Sequence, residues 1–215
     1  MKKIAVILSG CGMLDGTEIQ EAVLTLLAID KAGASYECLA PTSVKVIAVN
    51  HVTKAPEEPR QVHVEAARIA RGHLKALTQA NPADYDALIF PGGFGAAKVL
   101  CNFAEKKENC TLLPEVETFA KALISAHKPL GFICVAPVMI PKLYPAQTLL
   151  TIGTDEEIIS AVEKMGAKPL RCSATEIVVD KTHKVVSTPA YMLAQRISET
   201  ATGIERLVRE VLALT

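Results

Sequence analysis

Short, wholly apolar runs alternate along the chain with longer stretches whose apolar residues recur at helical spacing. Strands are predicted at Lys3 to Leu8, Tyr36 to Ala40, Ala87 to Phe90, Leu130 to Ile133 and Leu149 to Ile152. Helices are predicted between and after them, at Glu18 to Lys31, Val62 to Arg71, Pro114 to Ala126, Asp155 to Met165 and Ala190 to Leu214. Strands that are apolar throughout, rather than alternating, belong in a parallel sheet covered by helices on both faces. Ile177 to Asp180 and Lys184 to Ser187, joined by Lys181-Thr182-His183, read as a late antiparallel hairpin. Asn50 to Pro59 carries two prolines and no apolar period, and is expected to be a surface loop.

Chemistry enters where two of these strands end. In Pro129-Leu130-Gly131-Phe132-Ile133-Cys134-Val135-Ala136-Pro137 an apolar strand meets a proline suited to the first turn of a helix. A thiol at such a junction faces unpaired backbone N–H groups and the positive end of a helix, which favour thiolate over thiol. Cys134 is thereby a candidate nucleophile at a sharp elbow, against the reading of a small buried hydrophobe. Ala87 to Phe90 runs straight into Pro91-Gly92-Gly93-Phe94-Gly95, a turn whose backbone can approach a ligand closely. In an open α/β sheet both turns lie at carboxyl ends of strands, where such folds bind ligands. Gly92, Gly93 and Val135 are the candidates for oxyanion and substrate contact. Neither G-x-G-x-x-G nor G-x-x-x-x-G-K occurs, so no nucleotide site is inferred. Thr17-Glu18-Ile19-Gln20 fits a capping box and puts both Glu18 and Glu21 near the strand ends, as candidate carboxylate partners of Cys134.

Lys3 to Gly12, Asp15 to Val23, Pro91 to Ala97, Gly131 to Pro137 and Thr188 to Gln195, in that order, resemble the ElbB (enhancing lycopene biosynthesis, or isoprenoid biosynthesis) proteins. These are a branch of the ThiJ/PfpI superfamily, related to class I glutamine amidotransferases. The resemblance covers essentially the whole chain, residues 1–215, as one domain. It implies an α/β, flavodoxin-like, doubly wound fold, a reactive cysteine at a nucleophile elbow, a carboxylate from the first helix beside it, and a homodimer. It also selects Glu21, because Glu21-Ala22-Val23 and the later Ala32-Gly33 look like the superfamily's Glu-x-Val and Ala-Gly. Glu21 moreover stands off the centre of the apolar stripe Ile19, Ala22, Val23, Leu26 and Ile29. The activity associated with the branch is a cofactor-free conversion of glyoxal to glycolate. The chain departs from better known relatives in lacking a late His-Pro-Glu, in having Val135 where glyoxalase III proteins carry histidine, and in having Thr151 to Asp155 where others bring a histidine. Glutamine hydrolysis is therefore not expected. None of His51, His63, His73, His127 and His183 can be assigned to the elbow from sequence; His51, in the long loop, is a candidate to fold over it, set against the favoured reading of a solvated loop histidine.

Composition narrows the partners. Lysine plus arginine equals aspartate plus glutamate at 23 each, and tryptophan is absent, so neither nucleic acid nor an anionic membrane is an expected partner. No apolar stretch is long enough to span a bilayer. The six cysteines, at 11, 38, 101, 110, 134 and 172, show no C-x-x-C pair and no zinc spacing; they read as reduced thiols of a cytoplasmic protein with no metal and no cofactor. Cys38 and Cys172 are expected to pack, whereas Cys11 should share the ligand edge with Cys134, set against the favoured reading of a loop cysteine with no role. Leu24 and Ala28, outside the stripe of the first helix, together with zero net charge, fit a homodimer surface. The expected function is a glyoxalase acting on a small dicarbonyl or aldehyde through Cys134 and Glu21. A redox-sensing thiol and a regulatory binding protein are the alternatives.

Overall fold

The computed structural model describes residues 1–215. Its main strands are β1 (Lys3–Ile7), β2 (Ser35–Ala40), β5 (Leu74–Ala76), β6 (Ala87–Phe90), β7 (Leu130–Ile133), β10 (Val178–Asp180) and β11 (Val185–Thr188). They form one sheet in the order β10-β11-β7-β6-β1-β2-β5, parallel throughout except for β10, which closes the late hairpin with β11. From β1 the chain builds outward through β2 to β5, then returns to the other side of β1 for β6 and β7. The point of reversal therefore lies between β1 and β6, where a doubly wound sheet opens a crevice at its carboxyl edge.

Both faces of the sheet are covered, which is why β6 and β7 carry no polar side chain and β1 none after Lys3. Helices α1 (Ile19–Lys31), α2 (Val62–Ile69) and α7 (Ile197–Ala213) cover one face, where Ile4, Val6 and Ile89 meet Ala22, Ile29, Ala66, Leu207 and Val211. On the other face lie α3 (Phe103–Lys106), α4 (Pro114–Ser125), α5 (Ile140–Leu143) and α6 (Glu156–Lys164). There Ile7, Leu88, Phe90 and Phe132 pack with Phe103, Val116, Leu123, Ile140 and Val162. Phe90 and Phe132 stack with ring centroids 5.1 Å apart, both fully buried.

Four expectations are corrected. Residues 50–59 are not a plain loop: Pro56–Gln61 forms β4, which pairs with β3 (Lys45–Val49), and Asn50 caps the turn between them through its side chain. All six residues of β4 are exposed, so no apolar period could reveal it, and a two-stranded ribbon has the free edge that tolerates its prolines. Only Leu149–Leu150 of the fifth predicted strand is extended, as β8, and it pairs with β9 (Lys168–Pro169) outside the main sheet. Ala190 to Met192 is a single tight turn. The last helix starts seven residues later, at Ile197, where the Glu199 carboxylate accepts from the Gln195 and Arg196 N–H groups. On α1 the buried face is Glu21, Ala22, Thr25, Ala28 and Ile29, and the exposed apolar stripe is Ile19, Val23 and Leu27, not Leu24 and Ala28. The cause is α7, which packs along α1 and takes Ala28 and part of Leu24 into the core.

Phe132→Ala is expected to lower unfolding free energy by about 3–5 kcal/mol in urea denaturation. Phe94→Ala, 45% exposed, should cost less than about 1 kcal/mol.

Candidate active site

Cys134 stands immediately after β7 with φ 62°, a left-handed conformation that costs a non-glycine residue on the order of 1–3 kcal/mol. It is held there by its own N–H, which donates to the Thr188 carbonyl at 2.9 Å. The chain then enters a tight turn, Ala136–Met139, with Pro137 among its first residues, before the short α5. The elbow predicted from sequence is thus present, but the helix behind it is only a turn and α5, too short to supply a strong dipole.

The glycine turn after β6 is laced to the loop after β1 by three backbone hydrogen bonds. Glu18 N–H donates to Gly92 O at 2.9 Å, Phe94 N–H to Met13 O at 2.8 Å and Gly95 N–H to Gly16 O at 2.8 Å. Gly92 is required by contact: a Cβ there would lie 2.3 Å from Cys134 Cβ and 2.3 Å from Glu21 Oε2. Gly93 is required by conformation, with φ 93° and a Cβ position only 2.3 Å from the Glu18 nitrogen. These glycines let three elements converge on one point.

Glu21 lies on the first turn of α1 and is fully buried. The capping differs from the sequence expectation: Glu18, not Thr17, is the N-cap, its Oε2 accepting from Glu21 N–H at 2.6 Å. Thr17 is turned inward to accept the Ser9 N–H at 2.7 Å, and Gln20 accepts from the Tyr191 hydroxyl. Glu21 Oε1 accepts the Tyr191 N–H at 3.2 Å. Its Oε2 has no hydrogen-bond partner of ordinary geometry and rests against Gly92 and Cys134. Burial, reinforced by the Glu18 charge, pushes the Glu21 carboxyl up to about 8. At neutral pH it holds its proton, and an Oε2–H so placed has the Cys134 sulfur to donate to.

The expected low-pKa thiol is corrected by the same burial. Desolvation first, and the Glu21 carboxyl second, push the Cys134 thiol up; the N–H groups of Gly93 and Val135, aimed at the sulfur, pull it only part of the way back. Two acids in contact lose their first proton as a pair. That single negative charge, shared between sulfur and carboxyl, is the nucleophilic form of the site. Gly92 plays a different part from its two neighbours, since its N–H is directed to Glu21.

Cys134 opens into a cavity of about 570 Å³. Met13, Phe94, Ile158 and Met192 supply apolar walls; Glu18, Gln20, Asp155 and Tyr191 supply the polar ones. Tyr191 and Asp155 were missed in the sequence. Tyr191 lies inside the Thr188 to Gln195 segment that carried the resemblance, whereas Asp155 reads as an ordinary N-cap of α6, which it also is. A larger groove of about 1320 Å³ borders α1, β2 and α2 and shares no lining residue with the Cys134 cavity. Cys11 does not join the site: it lies beside Asp15, Val46 and Glu65 under the β3–β4 ribbon. His51 does not reach Cys134 either. Its Nε2 accepts the Leu14 N–H at 3.2 Å and its Nδ1–H donates to Val49 O at 2.8 Å, which ties the ribbon to the loop after β1. No histidine lines the Cys134 cavity.

No family model matches the chain. A rat protein named ES1 protein homolog, mitochondrial, is 39% identical over 224 aligned positions, spanning 99% of this chain and 84% of its own length. A human protein, glutamine amidotransferase-like class 1 domain-containing protein 3, mitochondrial, is 38% identical over 99% of the chain and 83% of its own length. The crystal structure of an isoprenoid biosynthesis protein with amidotransferase-like domain from Ehrlichia chaffeensis superposes with TM-score 0.91 at 32% identity, covering 99% of this chain and all of the other. The chain belongs to the ElbB/ES1 family of class I glutamine amidotransferase-like proteins. Glyoxalase III of Candida albicans, with TM-score 0.65 and 14% identity over 99% of this chain and 97% of its own, shares the ElbB/ES1 fold alone. The mitochondrial names of the relatives overturn the cytoplasmic placement. Reduced cysteines and a balanced charge describe either compartment equally well.

Burial of Glu21 sets a pH dependence of stability. The unfolded chain releases this proton near 4.5 and the folded protein only near 8. Between those values the folded state holds the extra proton, so stability falls as pH rises, by on the order of 3 kcal/mol at pH 7. Glu21→Gln should match the wild type near pH 4.5 and exceed its denaturant midpoint increasingly up to pH 8. Parallel curves for the two proteins would contradict the buried acid.

Proposed function

We propose that this ElbB/ES1 protein converts a small dicarbonyl such as glyoxal to its hydroxy acid, with Cys134 as nucleophile and Glu21 as proton carrier. The observation that supports this most is the buried Glu21 carboxyl lying against the Cys134 sulfur at a cavity wall. Loss of one proton from the pair leaves the sulfur free to attack an aldehyde carbon, forming the C–S bond of a hemithioacetal. The oxyanion that develops is met by the N–H groups of Gly93 and Val135. Glu21, which kept its proton when the sulfur took the charge, gives it to that oxyanion; the carboxylate so formed removes the proton from the attacked carbon and returns it to the neighbouring carbon, while the hydroxyl proton passes to the neighbouring oxygen. The first carbon is thereby oxidised to a thioester and the second reduced to an alcohol, so no external oxidant is consumed. Water cleaves the thioester, releasing glycolate and restoring the thiol. With no histidine in the cavity, Glu21 carries every proton transfer near the sulfur, which is the setting of a slow enzyme.

A connection to isoprenoid biosynthesis rests on kinship with the Ehrlichia protein that bears that name. A redox-sensing thiol remains the second reading, favoured by the half-buried Cys134 at an open cavity. The two part on kinetics, because a sensor consumes peroxide once and does not turn glyoxal over. We further propose a homodimer, supported by the exposed stripe Ile19, Val23 and Leu27 and by the absence of net charge.

Glycolate formation from glyoxal, without glutathione or metal, should vanish in Cys134→Ser and fall about 100-fold in Glu21→Gln, while Cys11→Ser retains it. Unchanged glycolate production in Cys134→Ser would exclude covalent catalysis. Light scattering should give twice the 23.0 kDa chain mass at micromolar concentration. A mass of one chain across the concentration range would exclude the dimer.

A further inference from the structure

The charged groups that line the Cys134 cavity are Glu18 and Asp155, and no lysine, arginine or histidine is among its walls. Both carboxylates also cap helices. Glu18 uses Oε2 on the Glu21 N–H, and Asp155 uses Oδ1 on the Glu157 and Ile158 N–H groups at 3.1 Å. Each helix start offsets roughly half a positive charge against one full negative charge, so the cavity keeps a net charge of about −1. Lys98 reaches this region only through Phe94, its Nζ 5.3 Å from the ring centroid and donating to Leu14 O at 3.0 Å. Two rings, Phe94 and Tyr191, stand among the same walls. An aromatic face beside carboxylates attracts an ammonium group by both cation–π and Coulomb terms. Behind the Cys134 sulfur that opens into this cavity, Glu21 is fully buried, its Oε2 set beside Gly92 and Cys134 with no other side chain to satisfy it. The volume, about 570 Å³, belongs to the range of drug-sized ligands and far exceeds what a two-carbon dicarbonyl fills.

We infer that the cavity selects carbonyl compounds that carry a protonated amine, and disfavours those that carry a carboxylate or phosphate. This refines the proposed reaction and rests on that reading for the carbonyl. The ammonium lies between Glu18 and Asp155 over the aromatic walls, and the carbonyl carbon meets Cys134. Anionic substrates would meet two carboxylates and no compensating base.

The charge preference can be read without turnover. Cys134 is modified with methanethiosulfonates bearing a trimethylammonium, a sulfonate or only a methyl group, each rate followed by mass spectrometry and divided by its rate toward free 2-mercaptoethanol. The normalised cation-to-anion ratio should be at least about tenfold in the wild type, and should fall severalfold as salt is raised. In Asp155→Asn with Glu18→Gln, whose amide oxygens still accept the capping N–H groups, the ratio should drop to within about twofold of one. A wild-type ratio at or below one, a ratio unaltered in the double variant, or no modification of Cys134 by any reagent would overturn the inference. Glyoxal turnover is measured in parallel. Turnover without charge preference refutes the ammonium site alone; charge preference without turnover refutes the catalytic reading alone.

Discussion

A glutamate that has been driven out of water against a cysteine sulfur governs this site. Burying a carboxylate without an ionic partner costs several kcal/mol, and proteins relieve that cost by keeping the proton on the group. Glu21 has no cation near it, only the Tyr191 N–H on one oxygen and Gly92 and Cys134 beside the other. Its proton is therefore held to about pH 8, and the least costly place for a negative charge is one shared with the sulfur. Everything else nearby serves that contact. Gly92 has no Cβ because one would occupy the space where carboxyl and thiol meet. Backbone hydrogen bonds between the two loops fix α1, and Glu21 with it, relative to β6 and β7. The left-handed Cys134 aims its side chain toward that point at the expense of local strain.

The fold brings the three contributors together by topology. β1, β6 and β7 are adjacent and parallel, so the residues after each strand emerge at the same edge although the first and last of them lie more than a hundred positions apart. This much was legible in the sequence: strands buried on both faces are apolar at every position, and glycine, proline and cysteine at their ends have few other reasons to coincide. The alternation of strand and helix, the elbow at Cys134 and the turn at Gly92-Gly93 follow from that pattern.

The parts that escaped the sequence share a physical cause. β4 is exposed at every position and β5 is three half-buried residues at the sheet edge, so neither has a hydrophobic signature. Which residue of Thr17 and Glu18 caps α1 depended on a tertiary contact, because Ser9 claims the threonine hydroxyl. The exposed face of α1 depended on α7, which lies over 160 residues away in sequence. The direction of the thiol's pKa depended on burial, a property of the assembled site that outweighs any local helix start. Tyr191, Asp155 and Phe94 acquire their positions in the cavity from three separate loops, and spacing along the chain does not announce it.

The proton on Glu21 at neutral pH is the claim on which the chemistry, the stability profile and the shared charge all rest. Infrared difference spectroscopy between the wild type and Glu21→Gln at pH 7 addresses it directly. The difference should contain the carbonyl stretch of one protonated carboxylic acid that disappears as pH is raised past about 8. A difference showing only carboxylate bands at pH 7 would contradict it.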